Sequence, residues 1–379
     1  MPPDRPPMPS RYQRYLLPGV VFQSVLIGGA YATGREIVEY GAKFGAAGAW
    51  AVLAIFVGST VVATLTYEFA RRFGLFENRG FVRRLVGPLW PVFDLLFVVM
   101  VLVIIAVVSA ASASLAEQVL GWPYWLGVGG VIVLVALISA SGRRTIERFK
   151  GAGTLLLYGG YLLFAGSVLT GSWERIGTVF RQHDTSYLGS VPVGAVLVTG
   201  ILYVGYNLVA LPSTLFTLDR QRGTRDAVLA GLATGILATI PFALTYLAVL
   251  AFYPDDAVLA APVPWLVMLE RVAGRGTIVL YAVVVLWTLV ETCTGLLHAL
   301  TDRVDAALAD LGRRPLAPGP IAALTAAILL AAALLSRVGL IALVARGYTA
   351  MAYGFLALFA LPLLTVGLWR LRQADDRRP

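Results

Sequence analysis

Three apolar stretches of this sequence carry polar and charged residues where none is expected. The first reads LPGVVFQSVLIGGAYATGREIVEYGAKFG over residues 17–45. A charged side chain at the centre of a bilayer costs several kcal/mol, so Arg35, Glu36 and Glu39 each need a reason to be there. Arg35–Glu39 and Glu39–Lys43 are spaced i,i+4, which makes a self-neutralising stripe on one helix face. Glu36 points about 100° away from that stripe and has no local partner, so it is the candidate for binding. Gly28, Gly29 and Gly34 crowd the middle of the stretch, with Thr33 beside them. Each glycine costs a helix about 1 kcal/mol relative to alanine, which points to an unwound segment offering backbone N–H and C=O groups to a ligand. A small-residue patch for close helix packing would explain the glycines but not the charges.

The second stretch carries Thr288, Glu291, Gly295, His298 and Asp302 at three- and four-residue spacing, a polar stripe along one helix face, with Thr292 adjacent. A carboxylate such as Glu291 could pass a proton from one side to the other, or join Thr288 and Thr292 in ligating Na⁺. His298 would then relay protons toward the helix end. The plainer reading is a hydrogen-bond network holding two helices together. The third stretch, residues 191–218, places Tyr203, Tyr206 and Asn207 beside Gly205 and Leu211-Pro212. Pro212 removes a backbone donor and disfavours helix at the residue before it, so this span too is expected to be interrupted. Other charges have local explanations: Glu68 pairs with Arg72, Asp94 sits at a helix start where it complements the dipole, and Glu117 lies at an interface. Ser109, Ser112 and Ser114 fit either a cavity wall or simple packing.

The elements that position these residues follow from composition. Of 379 residues, 58% are hydrophobic and 13% charged. An average soluble domain has about 45–50% and about 25%. Mean hydropathy is +0.79. These values exclude a soluble globular enzyme, a disordered protein and a secreted disulfide scaffold, and predict a polytopic helical membrane protein. Apolar runs at 14–42, 46–71, 91–118, 123–141, 150–171, 192–218, 225–252, 274–304, 318–336 and 347–371 predict ten spans. The domain expectation is a disordered cytoplasmic N-terminus (1–12), a first five-helix repeat (13–171), an extracellular connection (172–191), a second five-helix repeat (192–371) and a cytoplasmic tail (372–379). Residues 253–273 have the length for a short re-entrant or surface helix, and 338–346 for a short helix leading into the last span.

The net charge of +9 reads as topology rather than nucleic-acid binding. With both termini and the even-numbered loops on one side, that side holds 22 Lys and Arg against 6 on the other, which predicts cytoplasmic termini. A single cysteine, Cys293, excludes an intrachain disulfide, and with two histidines a His-rich metal site is not expected. No phosphate-binding loop, zinc-protease motif or nucleophile elbow is present, so no enzyme is expected. The interrupted spans 1 and 6 each open a five-span half. Five is odd, so the halves would insert in opposite orientations. Paired breaks at matching positions point to an inverted-repeat transporter with its site near the midplane.

The motif IGGAYATGREIVEYG resembles the first-span signature of the YkvI-type bacterial membrane proteins, relatives of the amino acid–polyamine–organocation (APC) transporters. The resemblance extends over nearly the whole chain, including the polar sixth and eighth spans. It implies the LeuT-type 5+5 fold and a bacterial inner-membrane location. It also implies a substrate site between spans 1, 3, 6 and 8, carrying Gly28, Gly29, Thr33, Gly34, Glu36, Tyr203, Tyr206 and Asn207. A common sodium site of that fold lies between spans 1 and 8. Where sodium-site relatives often have paired Ser/Thr, this chain has Glu291, Thr292 and Thr294, so the coupling ion stays open between Na⁺ and H⁺. The function expected is secondary transport of a small organic solute, an amino acid or related, with no cofactor beyond a coupling ion such as Na⁺. A passive channel and a transport-incompetent sensor are the alternatives, although no selectivity-filter motif is present. The oligomeric state is not legible.

Overall fold

The computed structural model describes residues 10–140 and 157–376. The expected disorder of the first residues, the whole connection between the runs 123–141 and 150–171 with the start of the second run, and the last residues of the tail lie outside them. Every regular element among the described residues is helical. In chain order these are α1 (Leu17–Leu26), α2 (Arg35–Tyr40), α3 (Ala49–Phe73), α4 (Asn78–Val86), α5 (Trp90–Leu120) and α6 (Tyr124–Ala140). They continue as α7 (Leu157–Leu169), α8 (Trp173–Arg181), α9 (Val193–Asn207), α10 (Thr224–Leu250), α11 (Asp256–Leu259) and α12 (Pro264–Val272). The last three are α13 (Arg275–Asp310), α14 (Pro318–Leu335) and the long run α15 (Leu340–Ala374).

Seven helical runs among the described residues are long and apolar enough to cross a membrane. They contain α3, α5, α9, α10, α13, α14 and α15. The other three expected spans fall elsewhere. Runs 123–141 and 150–171 coincide with the shorter apolar helices Tyr124–Ser139 and Leu157–Leu169, on either side of residues 141–156. Run 14–42 is divided into α1 and α2, so no single helix spans it.

Helix ends follow local chemistry. α3 and α5 stop at Gly74 (φ 65°) and Gly121 (φ 67°), whose left-handed conformation lets the backbone bond back onto the last turn. α14 starts with proline in its first turn, where the missing N–H costs nothing. α3 and α10 approach so closely that backbone meets backbone. A Cβ built on Gly231 or Gly235 of α10 would lie 2.0 or 1.9 Å from the hydroxyl of Thr64 or Thr60. Small residues make such contacts possible where lipid supplies no hydrophobic drive for helix association. Large apolar side chains on the outside, such as Leu95, Leu137 and Leu330, are 63–64% exposed, as suits a lipid-facing surface.

The connections differ in detail from the expectation. The 172–191 connection contains α8, and 253–273 contains α11 and α12. Residues 338–346 are not a separate helix before the last span. From Leu340 they are its first turns, including a π-helical turn over Leu343–Tyr348. Pro212 does not unwind span 6. α9 ends at Asn207 and the chain continues as a 3-10 helix, Leu208–Arg220, through the proline. The change of helix type, rather than a gap, is the interruption.

Candidate functional site

Span 1 breaks where its glycines predict. α1 ends at Leu26, Ile27 leaves helical geometry (φ −79°, ψ 35°) and Gly28 is extended (φ −107°, ψ 174°). One 3-10 turn, Gly29–Thr33, follows, and Gly34 at φ 83° redirects the chain into α2. Two of these glycines are required by their neighbours. A Cβ on Gly28 would lie 2.5 Å from the Thr292 hydroxyl, so the break rests directly on α13. A Cβ on Gly34 would meet the Trp265 ring of α12 at 2.9 Å, in a conformation L residues rarely adopt.

α2 carries Glu36 into the interior, where it is 3% exposed. The Tyr206 hydroxyl donates to its Oε2 at 2.5 Å, tying span 1 to the end of α9. Rings gather around this bond. Tyr206 lies 4.7 Å from Tyr348, 5.3 Å from Tyr203 and 5.4 Å from Tyr40, centroid to centroid. The Tyr40 hydroxyl donates to the Val344 carbonyl at 3.3 Å, inside the π turn, and lies 3.2 Å from Thr349 Oγ1. π turns leave backbone carbonyls off their usual partners, and here Tyr40 takes one up. The expected charge stripe is also present: Glu39 meets Arg35 at 3.4 Å and Lys43 at 2.5 Å. Arg35 faces away from Glu36, donating to the carbonyls of Leu259 (2.7 Å) and Ala261 (3.2 Å) in the α11–α12 connection.

A cavity of about 500 Å³ extends from Glu36. Its walls are Ser24–Leu26 of α1 with Ile27 and Gly28; Phe97, Met100 and Ile104 of α5; Leu157 and Tyr158 of α7; and Tyr348. Tyr206, Asn207 and the following Val209, Ala210 and Ser213 form another wall, facing Thr288, Glu291, Thr292, Gly295, Leu296 and Ala299 of α13. Apart from Glu36, these positions lie before or at the break on span 1, in the first half of α5 and from the middle of α13 into its second half. They therefore share one end of the bundle, the end holding the start of α1. The opposite end is closed by Arg35 on the α11–α12 connection and by Trp265 over Gly34.

The hydrogen bonds of the wall run mostly one way. The hydroxyls of Ser24, Ser213, Thr288 and Thr292 donate to carbonyls of their own helices, those of Val21, Ala210, Val284 and Thr288, at 2.6–2.9 Å. Asn207 Nδ2 donates to the Tyr203 carbonyl at 2.9 Å, and the Tyr158 hydroxyl to Gln23 Oε1 at 3.2 Å.

The structure brings together Gly28, Glu36, Tyr206, Asn207, Thr288, Glu291 and Thr292 at one cavity. Others it places nearby or apart. Thr33 Oγ1 accepts from the Arg35 N–H at 3.2 Å, a turn-stabilising bond, and Tyr203 packs behind Tyr206. Gly29 belongs to the 3-10 turn that follows the break. Gly34 lies under Trp265 rather than on the cavity wall. His298 is on an exposed flank of α13, so its expected relay position is not on the cavity wall. Ser109 and Ser112 bond to Ile105 and Val108 of their own helix and serve packing. Glu68 is held by Arg71 at 2.6 Å and by Thr224, one residue from the expected partner Arg72. Asp94 is bound to Arg303 at 2.5 Å, so its partner is a side chain as well as a helix dipole. No three His, Cys, Asp or Glu side chains converge among the described residues. Sequence reasoning missed Tyr348 and Tyr158. Tyr348 follows Gly347 in an apolar span, a weak signal. Tyr158 lies in a short run with nothing to mark it.

No protein-family profile matches the chain, and no curated protein matches it in sequence. Solved structures do match. The fold is similar to that of a Na⁺-coupled sialic acid symporter in a substrate-bound, outward-open state, with a TM-score of 0.61 and 11% identity. The match covers 93% of this chain and 79% of that one. A manganese transporter from Eremococcus coleocola, in complex with an aromatic bis-isothiourea compound, matches at a TM-score of 0.43 and 12% identity over 95% of each chain. The class defined by fold and site is therefore an all-helical, multi-pass membrane protein folded like a symporter, with a cavity at a helix break.

Proposed function

We propose that the chain is a secondary active transporter of a small organic solute, an amino acid or related, coupled to Na⁺ or H⁺. In this reading the chain forms ten spans in a 5+5 inverted repeat, and its substrate site lies between spans 1, 3, 6 and 8, here α1–α2, α5, α9 and α13. The observation that carries this reading is the cavity itself. It meets the broken first span at Gly28, and the Glu36–Tyr206 bond crosses from that span to span 6 at its inner end. A wet cavity is where irregular backbone at membrane depth is tolerated. The 22-to-6 division of basic residues assigns the open end to the cytoplasm of a bacterial inner membrane and the Trp265 end to the outside. Thr292 lies against Gly28, and Glu291 lines the same cavity, the pair we assign to the coupling ion.

Gradient-driven uptake tests this. Purified protein in liposomes should accumulate a solute when an inward Na⁺ or H⁺ gradient is imposed, and Glu291→Gln should abolish accumulation while leaving the protein folded. Full gradient-driven uptake by Glu291→Gln would remove Glu291 from the coupling role.

A further inference from the structure

Positive charge gathers where α4 meets the end of α15. Residues 71–90, which contain α4, hold five arginines and one acid, and residues 369–379 hold four arginines and two acids. The structure fastens α4 to the last span. Phe81, Val82 and Leu85 of α4 are buried, Phe81 stacks on Phe359 at 5.8 Å between centroids, and a Cβ on Gly367 would lie 3.7 Å from Leu85. Arg370 donates to the backbone carbonyl of Arg84. Two acids from other elements reach α4 and its flank, Glu68 with Arg71 and Asp310 with Arg79 and Arg83. Even with these counted, nine arginines face five acids. Arg84 and Arg370 meet no carboxylate among the described side chains.

Topology accounts for arginines at this end but not for how they are held. The Arg84 guanidinium lies 5.4 Å from the centre of the Phe73 ring, and those of Arg79 and Arg83 lie 4.8 and 4.4 Å from that of Trp90. Rings that hold a cation in place reduce the freedom it loses when a ligand arrives. Arg84 is exposed, and Trp369, next to Arg370, is 58% exposed, an aromatic suited to the headgroup level. Leu361 and Leu364 precede Arg370 on the same run and are 58% and 42% exposed, an apolar surface leading to the arginines. Guanidinium forks match the oxygens of a phosphate, and the apolar surface matches a hydrocarbon chain. A soluble anion would use the first feature and leave the second uncovered. We propose that Arg84 and Arg370 bind the phosphate of an anionic phospholipid in the cytoplasmic leaflet, with its acyl chains along the outer face of α15. This site is separate from the cavity and stands whether or not the protein is a carrier.

The test follows thermal unfolding of the full-length protein in detergent as dioleoylphosphatidylglycerol, dioleoylphosphatidylcholine or inorganic phosphate is added at constant ionic strength. The lipids enter as rising mole fractions of the micelle. Phosphatidylglycerol should raise Tm well beyond phosphatidylcholine, and inorganic phosphate should not raise it. Loss of each arginine should increase the phosphatidylglycerol fraction needed for a half-maximal shift about fivefold, the contribution expected of one basic residue at an anionic lipid surface. Arg84→Gln with Arg370→Gln should therefore remove most of the preference for phosphatidylglycerol. Arg313→Gln with Arg314→Gln, two exposed arginines in the α13–α14 connection at the same end of the bundle, should leave it unchanged. Equal shifts with the two lipids would overturn the proposal, and so would a full shift with inorganic phosphate, which would make the ligand a free anion. An undiminished shift in Arg84→Gln with Arg370→Gln would also overturn it, as would an equal loss in Arg313→Gln with Arg314→Gln, the mark of diffuse charge rather than a site. If the first pair does not fold, Arg84→Gln alone, a change at one exposed side chain, decides by the same fivefold criterion.

Discussion

Glu36 is the residue on which the site turns, and its sequence context marks it. It stands one position off a charge stripe that satisfies itself, so it alone lacks a local partner. The structure supplies one from 170 residues away, the Tyr206 hydroxyl. Tyr206→Phe would leave one carboxylate oxygen without its donor. A cost of about 1–3 kcal/mol in stability is expected, read from chemical denaturation or thermal melting, with solute affinity also reduced. An unchanged melting curve would mean the bond is replaced at no cost. His298 shows the limit of reading spacing alone. At about 100° per residue it lies about 80° round α13 from Thr288, past Glu291 on the flank. The wall instead continues through Leu296 and Ala299, apolar residues that a search for polar stripes passes over. His298→Ala should therefore leave uptake unchanged, whereas Glu291→Gln should not. Tyr348 was hidden for another reason. It reaches the cavity from a last span that contains a π turn, and the residue pattern of that turn does not differ from ordinary helix.

At the scale of elements, the glycines of span 1 predicted the break and also its position. What they did not show is what each one avoids. Gly28 avoids Thr292 on α13, and Gly34 avoids Trp265 on α12 while holding φ at 83°. Gly34→Val should cost more than about 1–2 kcal/mol, since the left-handed strain alone is of that order and the Trp265 contact adds to it. Thermal melting checks this, and a stability equal to the unaltered protein would mean that α12 is not seated as described. The α3–α10 contact makes a second prediction independent of the site. Gly235→Val should destabilise by about 1–3 kcal/mol through overpacking against Thr60, without altering solute selectivity in whatever protein survives. Span 6 is interrupted as its sequence predicts, but by a change of helix type rather than by unwinding. Proline forbids an α-helical hydrogen bond, but a chain already in 3-10 geometry passes through it, and which geometry precedes a proline is set by packing rather than by the proline.

The whole molecule is asymmetric. The cavity leads from one end toward the buried Glu36, while at the other Arg35 is held on two carbonyls and Trp265 covers Gly34. Charge counting gives that asymmetry a direction. In a Cys293→Ala background, Ser213→Cys should react with a membrane-impermeant maleimide applied from the cytoplasmic side, and be protected from outside. Equal labelling from both sides would indicate an open pore. Composition made the membrane class legible, and the apolar runs located most helices. The runs could not show that the first is two helices. Hydropathy averages over the glycines and polar residues that divide it.

The central claim is a carrier that exposes one site alternately to the two sides. Solute counterflow tests it most directly. Liposomes holding the protein are loaded with an unlabelled, bilayer-impermeant solute that raises its Tm and diluted into a trace of the labelled compound, with no ion gradient. A carrier should draw labelled solute inward above its equilibrium level, transiently and saturably, and Glu36→Gln should abolish the overshoot. Simple equilibration, linear in concentration and without overshoot, would contradict the account and make the protein a channel.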